Sequence, residues 1–120
     1  MAKRVMVVDD SRTVHVQMAS LLEDTDYEVA AFCRSGEEAV GCYGQVNPDL
    51  VTMDIIMPGM DGLKTAQTIL KEDPDARIVM VSELAYNGTF EEAEALGAKG
   101  FIGKPFGKER LLEAFWDALR

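Results

Sequence analysis

Strand-length apolar runs alternate with helix-length amphipathic ones along the whole chain, and four of the apolar runs end in polar residues. Arg4-Val5-Met6-Val7-Val8 leads into Asp9 and Asp10, and Leu50-Val51-Thr52-Met53 leads into Asp54. Ile78-Val79-Met80-Val81 ends in Ser82, and Phe101-Ile102-Gly103 ends in Lys104 and Pro105. Continuous apolar strands separated by helices imply a parallel sheet covered on both faces. Right-handed crossovers leave few ways to wind it. Parallel strands all end on the same edge, so three carboxylates, a hydroxyl and an ammonium collect there. Open sheets of this kind bind ligands beyond the carboxyl ends of their strands, where the winding reverses. With the first and third strands adjacent, Asp10 and Asp54 start about 5 Å apart in backbone terms.

Local signals set the element boundaries. Ser11 is placed to cap a first helix whose Val14, Met18, Leu21 and Leu22 share one face. Asp24 to Asp26 break it, and Glu28 to Phe32 read as the second strand. A second helix opens at Ser35-Gly36-Glu37-Glu38 and ends at Asn47-Pro48-Asp49; its interior Gly41 and Gly44 each cost about 1 kcal/mol relative to Ala. The stretch Ile55 to Gly62 is long and glycine-rich for a plain connection. Leu63, Ala66, Ile69 and Leu70 mark a third helix, stopped by Asp73-Pro74. A fourth carries Phe90, Ala93 and Leu96 before a Gly97 cap. The last carries Leu112, Phe115, Trp116 and Leu119.

With 120 residues the chain suits one domain with a single sizeable core. A net charge of -9 argues against a nucleic-acid surface, which needs clustered Lys and Arg. The N-terminus runs straight into a strand rather than a signal-peptide core, and no apolar stretch nears the ~20 residues that span a bilayer. Cys33 and Cys42 lack metal-ligand spacing, which leaves two reduced thiols and a cytoplasmic protein as the expectation.

The edge residues suggest their own chemistry. Three close carboxylates repel, and one tends to hold a proton unless a cation is near. All-oxygen ligation suits Mg2+, with Asp10 and Asp54 as side-chain ligands and Asp9 binding directly or through water. One carboxylate can then attack an activated phosphoryl group to give an acyl phosphate. Lys104 supplies positive charge for the phosphoryl oxygens and Ser82 a hydroxyl. Taken singly, each residue has an ordinary role: a helix-end acid, a loop acid, a turn cap, a surface lysine. Four of them at the ends of four strands are harder to explain that way.

With these residues in place, essentially the whole chain resembles the receiver domain of two-component response regulators, of the single-domain, CheY-like chemotaxis type. The resemblance rests on Val7-Val8-Asp9-Asp10-Ser11, on Asp54 to Gly62 with its Met57-Pro58 and Asp61-Gly62, on Ser82, and on Lys104-Pro105-Phe106. It implies a flavodoxin-like (βα)5 doubly wound sheet with strand order 2-1-3-4-5 and helices on both faces. It implies that residues 1–120 form a single receiver domain, in which Asp54 accepts a phosphoryl group from the phosphohistidine of a sensor histidine kinase. Asp10 would be the main Mg2+ ligand, assisted by Asp9, with Asp54 and the Ile56 backbone carbonyl completing the set. Ser82 and Phe101 would be the switch pair and Lys104 the phosphoryl partner, with Lys104-Pro105 cis. The only chemistry expected is self-catalysed phosphorylation and autodephosphorylation. Output would pass through the fourth helix, fifth strand and fifth helix to a downstream protein, from a monomer that neither binds nucleic acid nor inserts into membranes.

Some details concern this copy alone. Phe101 stands where such proteins often have Tyr. Apolar Ile56 and Leu84 flank the water path, so slow self-dephosphorylation is expected. Met53, Met57 and Met60 are expected to pack, Trp116 to join the core and His15 to lie at the surface; Tyr86 and Phe90 are candidates for partner contact. A haloacid-dehalogenase-type phosphatase would need a second Asp where Ile56 stands. A flavin carrier would need a phosphate loop where Asp9 and Asp10 stand. The chain ends at the close of its last helix, which favours a stand-alone regulator over a receiver cut from a larger one with a DNA-binding or enzymatic output domain.

Overall fold

The computed structural model describes residues 2–83 and 88–120, so Leu84 and Tyr86 lie outside the described residues. Strands and helices alternate: β1 Lys3–Val8, α1 Arg12–Leu21, β2 Tyr27–Cys33, α2 Gly36–Val46, β3 Leu50–Asp54, α3 Gly62–Glu72, β4 Ile78–Ser82, α4 Thr89–Leu96, β5 Gly100–Gly103 and α5 Lys108–Leu119. The strands form one parallel sheet in the order β2-β1-β3-β4-β5, as the resemblance implies.

Side chains alternate across each strand and divide the core in two. Val5 and Val7 pack with Met18 of α1 and Leu111 and Phe115 of α5. Met6 and Val8 pack on the other face with Ala39 of α2, Ala66 and Ile69 of α3 and Ala93 of α4. β3 and β4 are buried along their whole length, whereas β2, at an edge, is mostly half-covered and leaves Phe32 exposed.

The caps follow the sequence signals. Ser11 Oγ accepts from Val14 N at 3.4 Å, Ser35 Oγ from Glu38 N at 3.1 Å and Asp61 Oδ1 from Lys64 N at 2.8 Å. Gly97 ends α4 in the left-handed region at φ 106. α2 stays helical through Gly41 and Gly44. Its first-turn Glu37 and Glu38 favour the positive helix end, and the Tyr43 hydroxyl donates to Asp73 Oδ2 at 2.7 Å, tying α2 to the end of α3.

Two expectations fail. His15 is buried, with its ring stacked on Phe32 at 4.9 Å; it shares the inward stripe of Met18 and Leu22, three and seven residues on. Trp116 is 65% exposed. The inward stripe of α5 runs through Leu111, Ala114, Phe115 and Ala118, which turns Trp116 to the solvent side. Met53 and Met57 are buried as expected, while Met60 is half-buried.

The loop after β3 is pinned at Gly62. Its N–H donates to the Ile55 carbonyl at 2.7 Å, and a Cβ there would come within 2.7 Å of both the Asp54 carbonyl carbon and Ile55 Cα. Backbone on both sides leaves no flexible group to give way. Gly62→Ala is expected to cost about 3 kcal/mol in urea denaturation. A change under about 0.5 kcal/mol would mean that the loop can move off β3.

Candidate functional site at the sheet edge

The strand register assembles the site. Val8 pairs with Met53, so the next residues, Asp9 and Asp54, lie side by side. Asp54 pairs with Val81, and Ser82 with Gly103 just before Lys104. β1 is the point at which the winding reverses, because β2 lies on one side of it and β3 on the other. Asp9, Asp10, Ser11, Asp54, Ile56, Ser82, Glu83 and Lys104 line an open cavity of about 460 Å3 there.

Ligand oxygens of Asp9, Asp10 and Asp54 lie within 4.8 Å of one another. Asp9 is buried, and both its oxygens are engaged: Oδ1 accepts from Ser11 N at 2.8 Å and Oδ2 from Lys104 Nζ at 2.9 Å. Lys104 Nζ also sits 3.5 Å from Asp54 Oδ1, so one ammonium bridges two acids. Its own backbone N–H donates to the Ser82 carbonyl at 2.9 Å, and the Lys104-Pro105 bond is cis. Ser82 is buried, Asp10 exposed, and Ile56 exposed at the mouth.

Burial and the neighbouring Asp9 charge push the Asp54 carboxyl up to about 6, with Asp10 adding to the rise and Lys104 opposing it. Burial alone would lower the Lys104 ammonium, but the hydrogen bond to Asp9 and the charges of Asp54 and Asp9 outweigh it, and its pKa is raised. One lysine therefore only partly neutralises the acids. An all-oxygen set in which one carboxyl resists ionisation until about pH 6 fits a hard divalent cation such as Mg2+.

Phe101 lies apart from the acids, half-buried on β5. Its ring is edge-on to Phe90 at 5.9 Å, and its carbonyl accepts from Arg110 Nη2 at 3.0 Å. Two residues outside the expected set support the site. His15 Nε2 lies 2.7 Å from the Asp9 carbonyl, which can only accept, so Nε2 carries the proton. Glu37 Oε2 accepts from Met60 N at 3.1 Å and holds the loop after Asp54 against α2. Only His15's place in the α1 stripe could have marked it, and Glu83 at the cavity mouth carried no motif at all.

An open parallel α/β sheet with an acidic, lysine-bridged site at its switch point defines the class. Residues 5–115 match the response regulator receiver domain, and the chain belongs to that family, in its CheY-like branch. Chemotaxis protein CheY of Listeria monocytogenes is 40% identical over 117 residues, covering 98% of each chain. That of Thermotoga maritima is 41% identical over 114 residues, covering 95% of each. The CheX-CheY-BeF3-Mg+2 complex from Borrelia burgdorferi contains a chain that superposes with a TM-score of 0.93 at 32% identity, over 98% of this chain and 90% of that one.

The raised Asp54 carboxyl links stability to pH. A carboxyl whose folded pKa of about 6 exceeds its ordinary 3.8 binds its proton more tightly when folded. Its contribution is complete below about pH 4 and lost as pH rises through 6. Without divalent cations, Asp54→Asn should therefore be more stable than wild type at pH 7, on the order of 2 kcal/mol. The gap should close towards pH 4 in urea denaturation; one that does not change with pH would show that ionisation of Asp54 in its buried site is not its cause.

Proposed function

We propose that Asp54 accepts a phosphoryl group from the phosphohistidine of a sensor histidine kinase, with Mg2+ bound, and that the phosphorylated state is relayed to a protein partner. The observation that carries this reading is the three-carboxylate cluster bridged by Lys104, with Ser82 at the end of the next strand. Asp10 and Asp54 would hold the ion through their side chains and Ile56 through its backbone carbonyl. Asp9, with both oxygens already engaged, would assist. The bound ion would neutralise the acids and the phosphoryl oxygens.

The chain's own residues do the rest. An Asp54 carboxylate oxygen attacks phosphorus, the donor's P–N bond breaks, and an acyl phosphate forms. Lys104, released from Asp54, pairs with a phosphoryl oxygen, and the Ser82 hydroxyl donates to another. That draws Ser82 inward and lets Phe101 of the neighbouring strand follow. The output side of the sheet, α4-β5-α5, offers a groove of about 230 Å3 lined by Phe90, Ala93, Lys99, Phe101 and Arg110. A relative that binds Mg2+ and BeF3 in complex with CheX supports both the ion and a protein partner.

Residues 1–120 would act as one receiver domain, monomeric and cytoplasmic. Its catalysis is confined to its own phosphorylation and dephosphorylation, and its net charge of -9 argues against nucleic acid.

Intact-mass measurement after incubation with Mg2+ and acetyl phosphate tests the central step. Wild type should gain one phosphoryl group, and Asp54→Asn or wild type in EDTA none. An equal adduct on the variant would reject Asp54 as the acceptor. A second measurement concerns lifetime. Ile56 is 61% exposed at the cavity mouth and offers water no hydrogen bond. Ile56→Asn should speed loss of the phosphoryl group about tenfold, below the roughly 10²–10⁴-fold of a general base because a carboxamide orients the water without taking its proton; an unchanged decay rate would remove Ile56 from the water path.

A further inference from the structure

The chain's two cysteines, Cys33 and Cys42, lie nine residues apart, one closing β2 and the other midway along α2. Both are free thiols, yet their sulfurs are 3.4 Å apart. A disulfide needs about 2.05 Å, so closing the gap asks for a shift of roughly 1.3 Å. Neither sulfur belongs to a metal cluster among the described residues, where the acids of the sheet edge form the one candidate group.

We propose that Cys33 and Cys42 form a reversible thiol–disulfide modification site, oxidised by hydroperoxides, independent of the phosphoryl chemistry and set directly behind it. The two sulfurs are unequally exposed. Cys33 is buried, packed in the core between the sheet and α2. Cys42 is half-buried on α2, beside exposed Gly41, where a Cβ would meet nothing within 4 Å. Gly44, two residues further on, is equally open. Cys42 is thus the sulfur that a small oxidant reaches, and Cys33 is the resolving partner.

The chemistry balances in two steps. The Cys42 thiolate attacks one peroxide oxygen. An S–O bond forms, the O–O bond breaks, and the leaving oxygen takes a proton to depart as water or an alcohol. The Cys33 sulfur then attacks Cys42; an S–S bond forms, the S–O bond breaks, and the hydroxide released takes up the Cys33 proton. Two thiols supply the two electrons that reduce the hydroperoxide. A thiol reductant reverses the result.

The position gives the bond a consequence. The Cys33 backbone carbonyl accepts the Asp9 N–H at 3.0 Å, so a crosslink at Cys33 ties α2 to the residue that anchors the acidic site.

Hydrogen peroxide treatment of the intact protein, followed by denaturation, alkylation and intact-mass analysis, tests the proposal. Wild type should lose two hydrogens, lose both alkylation sites together, remain monomeric on a non-reducing gel and recover both sites with dithiothreitol. Cys33→Ser should instead accumulate a sulfenic acid on Cys42, trapped by dimedone, while Cys42→Ser should keep Cys33 alkylatable. Sulfinic acid on wild-type Cys42 without loss of Cys33, a disulfide between two chains, or two thiols untouched at peroxide levels that oxidise Cys42 in Cys33→Ser would each overturn it.

Discussion

Three carboxylates crowd one end of the sheet and one ammonium stands among them, and the rest of the molecule is arranged around that imbalance. Charges of one sign within a few ångströms in a partly dry site repel strongly, and a single lysine cannot offset three acids. Burial first, and then the charge of Asp9 that Lys104 does not cancel, hold the Asp54 carboxyl above its ordinary value. Folding holds the acids together because Asp54 closes β3 and Asp9 and Asp10 directly follow the buried end of β1, so the repulsion cannot easily relax by moving them apart. The site is an unsatisfied demand for positive charge built on rigid supports.

The supports explain how such a site can signal. Lys104 reaches Asp9 and Asp54 through its side chain and Ser82 through its backbone, so its position depends on two strands that are not otherwise adjacent to β1. On the proposed function, a change in charge at Asp54 would be felt first by Lys104 and Ser82. From there β5 leads back to Phe101, whose carbonyl holds Arg110 and whose ring meets Phe90 of α4. Input at the carboxyl edge and output at the β5 edge would, on that function, be coupled through strands of one packed body.

Much of this was legible in the sequence, and what was not has physical causes. Strand ends were readable because apolar runs stop abruptly at Asp9, Asp54, Ser82 and Lys104, and parallel winding sends all of them to one edge. The helix starts at Ser11 and Ser35 were equally plain, since capping is a local interaction, whereas the cap at Asp61 lay within the stretch read as a loop. The strand order came only through family resemblance, because pairing partners are set by long-range packing. His15 and Trp116 were misplaced because the rotation of a helix on a sheet is fixed by neighbours distant in the chain. The bridge from Lys104 to Asp9 spans 95 residues, and no spacing rule encodes it. The contact between Cys33 and Cys42 escaped for the same reason: it depends on how α2 lies against β2.

The parallel sheet also has an opposite rim, where the strands begin. There the chain turns through Thr25, through Asn47 to Asp49, through Asp73 to Arg77 and through Gly97 to Lys99, held by its own backbone bonds such as Asp49 N to the Arg4 carbonyl at 2.8 Å. None of those turns contributes a side chain to the acidic cavity. Polarity of the strands therefore separates the molecule into a chemically constrained end and an end free to drift. Sequence change, added length or a fused partner at the second end leaves the chemistry of the first untouched.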